Sequence, residues 1–520
     1  MPDTFSVEEP EVIATLEESP RLAEPDTPFR IALMGDWSGR SNRKLSAEKF
    51  EAREPMLIDR DDFDEVMARL GVSLRLTVAG EGSSQLTLRF QELDDFHPDR
   101  IFERVELFDA LRRMRERLED DSTFAEAARE MRGLGDAKEI AEAEVSSDRQ
   151  AVPASENVDP ASGGSLLDQM LEEASGEDEQ AASLPAVSSQ ADDELRAMLR
   201  DAVRPYLVST DEARQAELIA SVDEATSRLM RSILHHADFQ SLEAAWRAAH
   251  LLTSRLETCT DLKLYLLDVT KAELATSDEL EASAIYKLLV DKSVNTFGGD
   301  LWAVIAGNYT FDATPEDTGT LERLAQIAKR TGAPFISAAS PRVLGCESLA
   351  ATPDPDDWRA ELDAESRKAW DALRQQPEST YLGLALPRFL LRLPYGAETE
   401  PLEQFDFEEL TGSPAHENYL WGNPAFACAL LLGQAFTEYG WDMQPGIRQE
   451  IEGLPLHVFE DEGDAYIKPC AETLLTMRAA ERVMNEGLMP LLSFQGSDAV
   501  RLARFQSLAE PPQPLAGAWR

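Results

Sequence analysis

The sequence predicts an α/β protein: an α+β N-terminal unit with a β-hairpin, then a mixed α/β unit with a helical lead-in. Three observations carry this reading. Strand-like runs at 262–269 (LKLYLLDV), from 301 (LWAVIAGNYTF) and from 334 (PFISAAS) alternate with helical patterns around 281–291 and about 318–331. That rhythm is the signature of a parallel or mixed sheet covered by helices. Near the N-terminus, Leu74, Leu76 and Val78 alternate with polar residues, as do Leu86, Leu88 and Phe90, across the turn-rich AGEGSS. Between these regions lie long apolar stripes at helical spacing.

Residues 1–27 are acidic, hold four prolines and show no periodicity, so a disordered tail is expected. A unit at 28–118 follows. FRIALMG reads as a strand entering the turn from Gly35 to Gly39. DDFDEVMARLG reads as a helix with Asp62 as cap, Glu65 closing a capping box and Gly71 as stop. Ile101, Phe102, Val105, Phe108, Leu111 and Met114 stripe one helix that ends near Leu118.

From Ala125 to Pro205 there is no Phe, Tyr or Trp, and residues 119–195 hold 21 acids against 4 bases. So few core formers cannot offset the entropy of ordering, and 119–194 is expected to be an acidic flexible linker. One stretch differs. Leu166, Leu167, Met170 and Leu171 form an apolar face between the cap Ser165 and the stop Gly176, predicting a short helix at 165–174. It is either residual core or a peptide that folds on a partner.

The fourth unit, 195–520, opens with helical stripes: Leu195, Leu199, Ala202 and Val203, then Leu218, Val222, Ala225, Leu229 and Ile233. They lead into His235 and His236, with His250 one helix later. Adjacent residues on a helix diverge by about 100°, so His235 and His236 cannot chelate one ion from within a helix. The simpler reading is a corner followed by a helix capped by Asp238. Its buried face is Phe239, Leu242, Trp246, Ala249 and Thr253, with His250 beside it. PAFACALLLGQAF at 424–436 is well short of the ~20 residues that cross a bilayer, so it reads as a buried helix and no membrane insertion is expected.

Composition narrows the partners. With 97 acidic against 50 basic residues the net charge is −47, which repels nucleic acid phosphates and anionic lipid and favours protein partners. Cys259, Cys346, Cys428 and Cys470 form no CxxC pair, so neither a zinc site nor a disulfide framework is indicated, and a reducing compartment fits. No basic residue precedes Arg21 and no apolar core of signal length follows, so export by a standard signal is not expected.

An α/β core invites a nucleotide or hydrolase hypothesis, but the motifs are missing. There is no GxGxxG or GxxxxGK, and the glycines of NTFGGDLW precede the strand, where their amides cannot cradle a phosphate. Ser38 in GDWSGR lacks the spacing of a nucleophile elbow. Acid pairs such as Asp36 and Asp59 are expected by chance in so acidic a chain. No catalytic, cofactor or metal residue is assigned.

The segments together resemble a known family. PFRIALMGDWSGR, LIDRDDFDEVMARLGVSLRL and LTLRFQELDDFHPDRIFERV are similar to the small subunit of the type VI secretion contractile sheath. SLLDQML, HHADFQSLEAAWRAAHLL, NTFGGDLWAVIAGNYTF, APFISAASPRVLG and GLMPLLSFQGSDAVRLARFQSL resemble the large subunit, the last five in family order. The resemblance implies a cytoplasmic mechanical protein without active site or cofactor, whose two halves are fused here. In the family these subunits are separate chains that stack into a tube around an inner tube protein, with baseplate components and a recycling AAA+ unfoldase as further partners. It also implies that Leu166, Leu167, Met170 and Leu171 form the unfoldase's docking helix. The family's large subunit continues past the segment matched by RLARFQSL into a region of interlocking strands, whereas this sequence ends at Arg520. That leaves a polymerising subunit completed by another chain, or an accessory protein that caps or accompanies the sheath. An α/β hydrolase or metalloenzyme is the remote alternative.

Overall fold

The structure is a computed structural model and describes residues 23–44, 53–77, 85–131, 215–275, 279–293, 301–412, 415–461 and 463–519. Its strands, in chain order, are β1 (Phe29–Gly35), β2 (Met56–Ile58), β3 (Val72–Thr77), β4 (Gln85–Phe90), β5 (Leu262–Asp268), β6 (Val304–Phe311), β7 (Phe335–Ala339) and β8 (Leu382–Leu386). They continue with β9 (Phe389–Leu390), β10 (Trp421–Gly422), β11 (Glu450–Ile451), β12 (His457–Asp461), β13 (Asp464–Lys468), β14 (Met489–Ser493) and β15 (Val500–Leu502). Nine form one mixed sheet in the order β11-β15-β14-β8-β7-β6-β1-β5-β2. The α/β expectation holds.

The N-terminal segment is woven into this sheet. β1 lies between β5 and β6, parallel to both, with Phe29 through Gly35 opposite Leu262 through Asp268. β2 adds an antiparallel edge on β5. Two units meeting only through apolar side chains would not share backbone ladders, so the segment read as a separate unit at 28–118 is structurally part of the same body as the rest.

Residues alternate across the sheet as strand geometry requires. Ile31, Leu33, Leu264, Leu266, Val304 and Ala306 face one core; Ala32, Met34, Leu267 and Ile305 face the other. The longer helices are α1 (Phe63–Leu70), α2 (Pro98–Arg104), α3 (Glu106–Glu119), α4 (124–131), α5 (Gln215–Leu234), α6 (Ala237–Arg255), α7 (Pro315–Thr331), α8 (Ala364–Arg374), α9 (Pro424–Tyr439) and α10 (Met477–Asn485). The first core takes α6, α9, the β3–β4 hairpin and α1 to α5; the second takes α7, α8 and α10. α9 is buried at twelve of its positions, as its apolar sequence predicts. The stripes of α5 and α6 are buried as expected, Leu218 through Ile233 and Phe239 through Thr253. No helix among the described residues is long and apolar enough to cross a membrane.

Four local expectations are corrected. Asp62 caps α1 by position, but its carboxylate accepts from the Asp59 amide at 2.8 Å, so no capping box forms. The 101–118 stripe spans two helices, because Val105 is extended (φ −97°, ψ 116°) while its side chain stays in the core. Within the segment expected as linker, α4 is helical and buries Ala127, Ala128 and Met131 in the first core. Finally, α6 is capped by His236, whose Nδ1 accepts from the Asp238 amide at 3.2 Å, and Asp238 itself lies in the first turn.

Candidate functional site

In an open α/β sheet, ligands enter where the strand order reverses, at the carboxyl ends of the strands. Here that point lies between β1 and β6, since β6, β7 and β8 extend to one side and β5 to the other. The chain leaving β1 is DWSGR. Gly35 is required by close approach, because a Cβ there would stand 3.1 Å from the Asn308 Cβ. Gly39 sits at φ 73°, where a side chain would be strained and would strike the Ser73 carbonyl at 2.5 Å.

The donors of this turn are already occupied. Asp268, at the end of β5, accepts from the Trp37 amide (2.9 Å), the Ser38 amide (3.2 Å) and the Ser38 hydroxyl (2.8 Å). Arg40 lies 3.7 Å from Asp268 and 2.8 Å from Glu273. Arg53 bonds Glu273 at 2.7 and 3.0 Å and the Asp268 carbonyl at 2.6 Å. Burial pushes the Asp268 carboxyl up, against the Ser38 hydroxyl that favours its charge. Burial acts the same way on Glu273, but Arg53 and the Thr270 amide outweigh it and hold that carboxyl below its ordinary value. A loop that could cradle a phosphate therefore cradles a carboxylate of its own chain. Ser38 is buried and donates to Asp268 with no histidine beside it, so the pair clamps the turn and supplies no nucleophile.

The same turn fastens the two segments. Trp37 is fully buried, its indole donating to the Leu33 carbonyl at 3.1 Å. The Trp246 indole of α6 donates to the Trp37 carbonyl at 2.9 Å, and the two rings meet edge-on at 5.4 Å. At the opposite end of β1, Phe29 stacks on Phe436 at 4.6 Å and tilts against Trp441 at 5.3 Å.

The three histidines do not converge. His236 caps α6; the His235 Nε2 stands 3.6 Å from the Glu409 Oε1; His250 packs edge-on against Phe63 at 5.4 Å. No group of His, Cys, Asp or Glu among the described residues could hold a metal ion. The His235 contact leads instead to a buried ion network that sequence reading did not find. Arg392 bonds Glu243 at 2.8 Å and Glu409 at 2.7 and 3.0 Å, while Arg247 bonds Glu243 at 2.7 Å and the Tyr395 hydroxyl at 2.9 Å. Burial raises the Glu409 carboxyl, but Arg392, His235 and the Tyr395 amide overcome it and hold it at about 2. The available signal was Arg392 inside the apolar run RFLLRLPYG and Glu243 beside the α6 stripe, since an interior charge demands a partner. Tyr395 meets the His97 ring of the N-terminal segment edge-on at 4.9 Å, so this network too touches the junction.

A cavity of about 260 Å³ opens at the ends of β6, β7 and β8, between Thr310, Ala338, Leu386, Arg388, His416 and Glu472. Of the three carboxylates that line it, Glu472 is saturated: it accepts from the Arg388 amide (2.8 Å), the Arg388 Nε (2.9 Å) and the His416 Nε2 (3.1 Å). Leu166, Leu167, Met170 and Leu171, the docking-helix residues, lie outside the described residues.

Two family models match separate segments of the chain. The family model for EvpB/VC_A0108, tail sheath N-terminal domain, matches residues 216–509. A second, for Type VI secretion system, VipA, VC_A0107 or Hcp2, matches residues 16–134. The chain is 36% identical over 318 residues to the Type VI secretion system sheath protein TssC1 of Pseudomonas aeruginosa strain PAO1, an overlap of 59% of this chain and 64% of that protein. The chain thus spans just under two thirds of that relative's length.

Proposed function

Because the chain belongs to the type VI secretion tail-sheath family and joins a VipA-type and a VipB-type segment in one polypeptide, we propose that it is a structural subunit of a contractile sheath, a mechanical part of a protein-translocation machine. The observation that carries this is the place of β1, inserted between β5 and β6 of the other segment. A small-subunit-like segment so placed is an integral layer of one protomer. Fusion then fixes the stoichiometry at one to one and replaces an encounter between chains by an intramolecular one.

On this reading the protein acts in the cytoplasm, associates with other sheath subunits, surrounds an inner tube protein and meets baseplate components. It performs no chemistry, which agrees with a strand-end crevice filled by its own Asp268, Arg40, Arg53 and Glu273. Leu166, Leu167, Met170 and Leu171 form the docking helix for an AAA+ unfoldase, their apolar face filling a groove on its N-terminal domain.

Electron microscopy of the purified protein, alone and with a full-length homologous large subunit, tests the main reading. Helical tubes containing the protein are expected; binding without tubes would replace it by the accessory or capping reading. For the docking helix, Leu167→Ala with Met170→Ala is expected to leave folding intact and abolish binding to a cognate unfoldase N-terminal domain. Unchanged binding would return that helix to ordinary packing.

A further inference from the structure

Nine large apolar side chains are exposed among the described residues, and six of them fall between 458 and 494: Val458, Tyr466, Ile467, Leu474, Met477 and Phe494. Three belong to one hairpin. β12 and β13 pair only with each other, so neither outer edge has a strand beside it among the described residues. Val458 stands opposite Ile467, and Phe459 opposite Tyr466, which places apolar pairs on both faces. Val458 is 52% exposed, Tyr466 48% and Ile467 41%.

The base of this hairpin is fixed. The Tyr419 hydroxyl and His457 Nδ1 are hydrogen-bonded at 2.8 Å, and the Lys468 ammonium sits 4.9 and 5.6 Å from the Tyr419 and Trp421 ring centres. Beyond the base Val458, Tyr466 and Ile467 remain about half exposed. A two-stranded hairpin is marginal by itself, and an apolar free edge is a feature that proteins ordinarily blunt. Here Glu460 and Asp464, both exposed, flank the turn, against the single base Lys468 of the two strands.

We propose that the β12–β13 hairpin is a docking edge for another protein, which adds an extended strand of apolar residues alternating with lysine or arginine. Backbone pairing and the apolar faces supply affinity, and the acidic turn selects the sign of the partner. The same hairpin of a second copy is the wrong occupant, because it would bring like acids, Glu460 and Asp464, against these. The proposal concerns the isolated protein and stands independently of the sheath reading.

The probe is a fluorescein-labelled peptide of about ten residues, alternating lysine and valine, followed by fluorescence anisotropy at physiological salt. Saturable binding is expected, with hydrogen-exchange protection gained in 457–468. Glu460→Lys with Asp464→Lys should weaken it at least about tenfold and admit the peptide carrying glutamate for lysine. Tyr466→Ser with Ile467→Ser should weaken it similarly at unchanged far-UV circular dichroism, and Leu57→Ser, on the edge strand β2, should not. Equal binding of a lysine–glycine peptide, protection gained elsewhere, or no binding overturns the proposal. Concentration-dependent self-association that Tyr466→Ser with Ile467→Ser abolishes would also overturn it, by assigning the edge to a second copy.

Discussion

Replacing Arg392 by methionine keeps an unbranched apolar stem and removes the charge from a buried ion network. The guanidinium is 5% exposed and lies between Glu243 (0%) and Glu409 (1%). Two guanidinium groups, Arg392 and Arg247, balance these two carboxylates. Removing one partner of such a group leaves a buried charge uncompensated, which costs about 3–5 kcal/mol. The pH dependence gives a second, independent figure. Glu409 falls from 4.5 to about 2 on folding, a gap corresponding to about 3 kcal/mol at neutral pH. A depressed carboxyl contributes stability that is fully present above its unfolded value of 4.5 and is lost as pH falls toward 2. In Arg392→Met the sign inverts: burial now dominates, the carboxyl rises above its ordinary value, and protonation relieves the variant. Unfolding free energies from urea titrations followed by tryptophan fluorescence should therefore differ by about 3–5 kcal/mol at neutral pH, and the difference should shrink steadily on acidification. A difference below about 1 kcal/mol, or one independent of pH, would refute the network's role.

Trp37→Ala is expected to cost about 3–5 kcal/mol and to leave one transition, with tryptophan fluorescence and far-UV circular dichroism coinciding; separate transitions would show that the two segments fold apart. A protease site inserted between 132 and 214 should yield fragments that co-elute after cleavage, because β1 remains paired between β5 and β6; free separation on a sizing column would contradict that pairing. His236→Ala should destabilise by about 1 kcal/mol through loss of the α6 cap. Metal analysis of the purified protein tests the histidines directly: a stoichiometric ion lost in His235→Ala with His236→Ala would revive a metalloenzyme.

The periodicities were legible and the long-range topology was not. The stripe Phe239, Leu242, Trp246, Ala249 and Thr253 reports burial directly, because one face of a helix meets one core. Helix ends are decided by which acceptor reaches an amide first. Aspartate is the commoner cap, so the sequence favours Asp238, yet the His236 Nδ1 accepts from the Asp238 amide. The break at Val105 is invisible for a different reason, since α2 and α3 present a continuous apolar face to the same core. α4 escaped notice because Ala127 and Ala128 are small, and acids dominate the count around them. The place of β1 lies beyond any local pattern: Trp37 and Asp268, which lock it, are 231 residues apart.

That lock also occupies the place where such sheets commonly bind ligands. Parallel α/β sheets concentrate unpaired amides and open space where the strand order reverses, which is why so many bind ligands there. In this chain the point of reversal is also the junction of the two segments, and one set of groups cannot serve both purposes. The Trp37 and Ser38 amides hold Asp268, Arg40 and Arg53 hold Glu273, and the Trp246 indole closes over the Trp37 carbonyl. These donors join residues of 28–53 to residues of 246–273. On the proposed sheath role that joint matters more than a cleft, since a load applied to either segment would pass through paired backbone and buried ions. The same reasoning places adaptable surface elsewhere, on the free β12–β13 hairpin, where a partner can be exchanged without disturbing the joint.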